Sequence, residues 1–294
     1  MISFLKLIRI DNLLLLVLAQ FVIKYGMLVP FQVPYAYNGL GFSMLVVASV
    51  LLLASGTLII RIYNKELTPF KISEKVAFRL FLLFNSLGVV LGFYLSNLAE
   101  KPGFVAFFII ASVLFYMYAV YLKEIIVVKN ITIAFLGALG VLGIGVFELV
   151  PMIIPATQQT IMVSFSIILD YAIFGFLLIL AHEISKDCVH LDRDHNLGMR
   201  TIPITLGKDR SLKIIALIAL IAIGAAVYYI YSYLFANSTA VILVLATVVA
   251  PLIYLIIKCF NAEKVKAFRF MAALVKMIIL TTLLNILFFQ FIIL

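Results

Sequence analysis

Carboxylates are scarce in this chain, and they are unevenly placed. Asp and Glu number 13 among 294 residues, against 22 Lys and Arg. No aspartate occurs between Asp11 and Asp170. Histidine is rarer still: His182, His190 and His195 all fall in one short stretch. Cysteine is limited to Cys188 and Cys259, which form neither a disulfide framework nor a thiolate metal spacing. Charged residues of all kinds make up only 12% of the chain. No polar stretch is long enough for a soluble domain, and no low-complexity segment or internal repeat is visible.

What fills the chain instead is hydrocarbon. Hydrophobic residues reach 66%, and mean hydropathy is +1.25. A soluble core could not absorb that much apolar surface, so a polytopic membrane protein is expected. Apolar runs of spanning length fall at about 13–30, 40–60, 77–97, 103–122, 131–151, 161–181, 213–234, 239–257 and 270–292, at ~20 residues each. The expected fold is all-α, with nine transmembrane helices in one bundle and residues 1–294 as a single transmembrane domain. The first run lies behind Lys6 and Arg9 and lacks a small-residue cleavage site, so it reads as a retained span.

Positive charge sets the expected orientation. Apart from Lys24, Lys101 and Lys276, every Lys and Arg lies before span 1 or near the loops after spans 2, 4, 6 and 8. That alternation predicts a cytoplasmic N-terminus and an external C-terminus. The net charge of +9 is thus mainly a topological signal, and it favours anionic substrates at the cytoplasmic face. With no soluble domain, a nucleic-acid partner is not expected.

The longest polar run is His182 to Arg210, which holds all three histidines and Asp187, Asp192, Asp194 and Asp209. Continued as a helix to about His195, it puts Glu183, Asp187, His190 and Asp194 within roughly 60° of one another, with Asp192 opposite. Gly198 and Pro203 mark its end. Carboxylates stacked on one face repel, and a cation relieves that repulsion. Mg²⁺ favours a few carboxylates plus substrate phosphates. The alternative is a solvated loop between two spans.

The other polar residues are more ambiguous. Lys6, Arg9, Asp11 and Asn12 serve as a topology anchor and helix cap, or as phosphate contacts. Lys24 is expected to snorkel to the nearer surface. Asp170 in span 6 and Lys276 in span 9 are expected to pair. Tyr116, Tyr118, Tyr121 and Lys123 read as an interfacial belt. Pro151 and Pro155 are expected to be structural.

Three patterns together resemble the UbiA-type intramembrane prenyltransferases. An Arg-x-x-Asn element is matched by Arg9–Asn12, and a Tyr-x4-Lys element by Tyr118–Lys123. The specific match is the segment after span 6, at His182-Glu183, Lys186-Asp187, His190, Asp194, Gly198-Met199-Arg200-Thr201-Ile202-Pro203 and Leu206-Gly207-Lys208. Its wording is closest to the branch that makes digeranylgeranylglyceryl phosphate. The resemblance implies Mg²⁺ as cofactor and a prenyl diphosphate donor, with geranylgeranyl the expected chain. It also implies a lipophilic or glyceryl-phosphate acceptor, and membrane lipid as surroundings. An allylic carbocation would form, and the acceptor would attack it. On this resemblance Asp187 and Asp194 are the catalytic and metal-binding residues, with Glu183 beside them. Arg9, Asn12, Tyr118, Lys123, Lys186, His190 and Arg200 are the substrate contacts. The expected location is the inner membrane of a prokaryotic cell.

The chain departs from that family at two places. The first aspartate cluster should follow span 2, yet Ile60-Arg61-Ile62-Tyr63-Asn64-Lys65 contains none. Asn64-Lys65 and Lys71-Ile72-Ser73 resemble the flank beyond the cluster, as if a short segment were lost after Ile60. Glu66 and Glu74 lie outside the motif. In the second cluster His190 stands at an aspartate position, and imidazole suits softer metals than Mg²⁺. Two other readings stay open: a non-catalytic member that binds lipid or diphosphate, and a transporter using Asp170 and Lys276. Against the transporter, no pair of spans is interrupted by Gly or Pro at matching positions.

Overall fold

A computed structural model describes residues 2–70, 72–196 and 198–293; Lys71 lies outside them. Runs of Leu, Ile, Val and Ala form helices because a helix satisfies every backbone N–H and C=O within its own segment, as hydrocarbon surroundings require. Among the described residues there is no strand, and nine helices are long and apolar enough to span a bilayer. They run Ile10–Leu28, Gly39–Tyr63, Glu74–Leu98, Pro102–Val120, Val128–Met152, Gln158–Val189, Lys208–Leu234, Ser238–Phe260 and Val265–Ile293. Every expected span is present. Side-chain caps start three of them. Asn38 accepts from Gly41 N–H at 2.9 Å, Ser73 from Val76 N–H at 3.4 Å, and Asn237 from Ala240 N–H at 3.1 Å.

The chain divides into two compact units. The first comprises Met1–Lys24, Gln32–Lys123 and Leu139–Ile168. Its interior includes Leu7, Leu58, Ile59, Ala77, Phe81 and Ala119. Glycine permits two close approaches there, since a Cβ on Gly56 would overlap the Phe115 ring and one on Gly92 the Phe108 ring. One ammonium-bearing side chain is also drawn inward. Lys24 corrects an expectation: it does not snorkel but is 1% exposed. Its ammonium donates to Glu148 Oε1 at 2.7 Å and to the Tyr37 carbonyl at 2.8 Å, and lies 3.7 Å from the centre of the Tyr35 ring. Glu148 Oε2 accepts from Tyr37 N–H at 3.1 Å. Both charged residues sit in π-helical turns, Lys24–Leu28 and Gly145–Leu149. Such turns recur where a helix re-aims side chains.

The second unit comprises Tyr25–Phe31, Glu124–Ala138 and Leu169–Leu294. Ile215, Ala219, Leu252, Leu255, Met271 and Val275 lie in its core. Here too one expectation is corrected. No ion pair among the described residues joins Asp170 to Lys276, and the polar side chain beside Asp170 is Tyr233. Tyr171 and Tyr229 join the same aromatic patch, with hydroxyls 3.3 Å apart. A phenol suits a carboxylate near mid-span because it supplies a donor without a second buried charge.

Candidate functional site

The polar run emerges from the last turns of span 6. Helix continues without interruption to Val189, then breaks at His190 and resumes over Leu191–Asn196. The single straight helix expected to His195 is therefore corrected to two. Hydrogen bonding bridges the break, from His190 N–H to the Lys186 carbonyl at 3.0 Å and from Asp194 N–H to the His190 carbonyl at 2.9 Å. The end is as expected. Gly198 adopts φ +68°, while Gly198 N–H bonds the His195 carbonyl and Met199 N–H the Asp194 carbonyl. That pair of bonds is a Schellman closure, which needs a left-handed residue at the glycine position.

Asp187 is buried, at 5% exposure. Both of its oxygens are engaged. Lys129 Nζ donates to Oδ1 at 2.7 Å, and Asn130 Nδ2 donates to Oδ2 at 3.0 Å. Both partners open span 5, and neither was singled out by sequence reading as a site residue. The signal available was a Lys-Asn pair at the start of a span, on the side where Lys and Arg collect. One turn before Asp187, Glu183 accepts both bonds from Lys186, at 2.7 and 2.9 Å, and lies 3.4 Å from His182 Nδ1. Asp194 is 3% exposed, and Arg193 donates to its Oδ1 through Nε and Nη2. Burial first, then the Arg193 cation, push the His190 imidazole below its usual range, so it is neutral near pH 7. Asp192 and Arg200 are exposed.

The loop that aims Lys129 is strained. Val127 has φ +70°, a conformation that β-branched residues rarely adopt. Its side chain is 44% exposed and gives little packing in return. Val127→Gly is expected to raise stability by about 0.5–1 kcal/mol, seen as a small increase in Tm in detergent. A fall in Tm would assign Val127 a packing role instead.

Mg²⁺ takes hard oxygen donors, and Asp187, Asp194 and Glu183 are chemically of that class. Their placement does not fit a resident ion. Each carboxylate is already bonded to a protein cation, and among the described residues no group of three or more His, Cys, Asp or Glu side chains could hold a metal.

The first unit carries the remaining expected residues. Arg9 caps span 1 in the left-handed conformation, with φ 52° and ψ 61°, and its carbonyl accepts from Asn12 N–H at 2.9 Å. Asn12 is exposed, and Tyr118 is buried. Lys123 Nζ donates to Asn64 Oδ1 at 2.9 Å and to the Tyr63 carbonyl at 3.2 Å, so it is fixed to the end of span 2 rather than lying free in an aromatic belt.

These features define an integral membrane protein of helical spans, with most of its acidic and basic side chains gathered at span ends. Residues 67–281 match the model of the UbiA prenyltransferase family, and the chain belongs to that family. It is 28% identical over 166 residues to digeranylgeranylglyceryl phosphate synthase of Pyrococcus furiosus, covering 55% of this chain and 52% of that protein. It is 32% identical over 152 residues to the synthase of the same name from Methanothermobacter thermautotrophicus, covering 52% and 47%. The chain thus spans about half the length of the curated relatives it matches. Among solved structures, one of a digeranylgeranylglyceryl phosphate synthase aligns over 97% of this chain and 96% of its own, with TM-score 0.68 and 20% identity. A UbiA homolog from Archaeoglobus fulgidus bound to DMAPP and Mg²⁺ aligns over 97% and 99%, with TM-score 0.59 and 16% identity. These likenesses establish the UbiA fold for the chain.

Proposed function

We propose that this protein transfers a prenyl group from a prenyl diphosphate to a lipid-precursor acceptor, with geranylgeranyl diphosphate as donor and geranylgeranylglyceryl phosphate as acceptor. The observation that carries this reading is the Lys129–Asp187–Asn130 knot, which holds an acid of the segment that bears the family's spacing. The donor's C1–O bond breaks heterolytically, and its electron pair leaves on the diphosphate. The acceptor hydroxyl oxygen then bonds C1 and gives up its proton. Lys123, Lys186, Arg9 and Arg200 are the cations this reading assigns to the departing charge, with Asn12, Tyr118 and His190 as polar contacts. Apolar spans shelter the cation from water. Relatives' names support the acceptor class, and the DMAPP-bound homolog supports a diphosphate donor.

Mg²⁺ belongs to this reading as an ion that arrives with the diphosphate. Asp187, Asp194 and Glu183 would have to give up their present cations to reach it, and no step is derived through it. Topologically, the N-terminus and the polar run are assigned to the cytoplasm of a prokaryotic cell and the C-terminus to the outside.

Asp194→Ala tests the acidic face. Affinity for geranylgeranyl diphosphate in the presence of Mg²⁺ is expected to fall by about tenfold or more. Unchanged affinity would remove this face from the site. A non-catalytic diphosphate-binding protein is the second reading, favoured by the missing first acid cluster. Affinity for the donor without product formation from any acceptor would select it. The transporter reading loses its main support, because Asp170 and Lys276 form no ion pair among the described residues.

A further inference from the structure

Glu183, Asp187 and Asp194 each carry a cation of this chain, but those cations are held in different ways. Lys129 reaches Asp187 from another helix, span 5, and its side chain is only 15% exposed. Lys186 and Glu183 sit one turn apart on span 6 itself. Arg193 stands apart from both. It is the neighbour of its acid in the chain, within the short helix Leu191–Asn196, and its side chain is 55% exposed while Asp194 is buried. Its Nε, at 3.0 Å, and its Nη2, at 2.9 Å, donate to the same oxygen, Asp194 Oδ1. All of these residues belong to the second unit.

A hard divalent cation binds a carboxylate through the same oxygens that a guanidinium takes. At Asp194 Oδ1 the two are competitors, and like charge opposes a divalent ion while the guanidinium stays. Arg193 differs from Lys129 in ease of release. Water already reaches more than half of its side chain, and exposed ion pairs are weakly held. Lys129 would have to abandon a contact that, with Asn130, ties span 5 to span 6. The backbone meanwhile fixes Asp194. Its N–H bonds the His190 carbonyl at 2.9 Å, and its own carbonyl accepts from Met199 N–H at 2.9 Å. The acid is held in place and its cation is free to swing into solvent, as a lock requires.

We propose that Arg193 is an autoinhibitory lock on the acidic face, occupying Asp194 in the resting protein and keeping divalent cations off it. The lack of fit between these acids and a resident ion is then a property built into the chain, with one exposed arginine as its movable part. The lock rests on the prenyl-transfer reading only for the kind of visitor, a divalent cation.

The test is binding of Mn²⁺ to the full chain in detergent, with no diphosphate present, followed by loss of the free-ion signal in electron paramagnetic resonance. Wild type is expected to bind weakly. Arg193→Gln is expected to raise affinity by about tenfold or more, and Arg193→Lys to raise it less, because lysine keeps the charge without the fork. Arg210→Gln removes the same charge from an exposed position further along the polar run and is expected to match wild type. Asp194→Asn added to Arg193→Gln is expected to abolish the gain. Tm identifies any variant that fails to fold, and Arg193→Ala then stands in for Arg193→Gln. A folded Arg193→Gln protein with wild-type affinity, a gain equalled by Arg210→Gln, or a gain that survives Asp194→Asn would overturn the proposal. Product formation from geranylgeranyl diphosphate by wild type is read separately. Product without the gain sinks the lock and leaves prenyl transfer standing. An Asp194-dependent gain without product does the reverse.

Discussion

Asp187→Ala is expected to lower the rate of prenyl-product formation by about a hundredfold or more. The carboxylate is nearly buried and bonds Lys129 and Asn130 at once. Removing it leaves an ammonium and an amide without their partner in a half-buried place. Both then re-orient, and the last turns of span 6, which they anchor, shift with them. Misplacement by about 1 Å is enough to cost about a hundredfold in a pre-organised site. Asp187→Asn separates charge from shape: the amide can still meet Asn130, but it no longer attracts Lys129. The rate is to be measured per folded molecule, with Tm alongside, because loss of a buried ion-pair partner also destabilises. A folded Asp187→Ala variant with wild-type rate would show that the polar end of span 6 is not part of the reacting site.

The second large effect concerns stability. Glu148→Ala is expected to cost about 3–5 kcal/mol, because it leaves the buried Lys24 ammonium without its counter-ion. The Lys24 and Glu148 side chains are 2% and 0% exposed, so solvent screens the pair very little. Glu148 also accepts from Tyr37 N–H, so the loss reaches the backbone before span 2. The double variant Lys24→Met with Glu148→Met is expected to be closer to wild type than either single change, since it removes both charges together. Thermal unfolding in detergent reads all of these variants. A Glu148→Ala protein within about 1 kcal/mol of wild type would mean that Lys24 finds water or another acceptor.

The spans were legible because their signal is local. An apolar run long enough to cross a bilayer declares itself residue by residue, and the Lys and Arg alternation fixed their number. The polar run was legible for the same reason, and Gly198 closed it as its φ demands. What was not legible depends on contacts far apart in the chain. Lys24 and Glu148 are 124 residues apart, and Lys129 and Asp187 are 58 apart. Read alone, Lys24 resembles any lysine that reaches for the surface. Only a facing acid makes burial tolerable, and nothing beside Glu148 in sequence announces that role. The break at His190 was also hidden, since neither Pro nor Gly stands there. Arg61 was visible as a departure from a family pattern, but its stacking on Phe70 and its bond to the Lys6 carbonyl appear only once those residues are placed.

The most direct test is incubation of the purified full chain in detergent with geranylgeranyl diphosphate, geranylgeranylglyceryl phosphate and Mg²⁺, followed by extraction and mass analysis of the lipid. The account predicts a digeranylgeranylated product and release of one pyrophosphate per product formed. Donor bound and recovered intact, with no prenylated acceptor formed, would contradict it and leave a diphosphate-binding protein in its place.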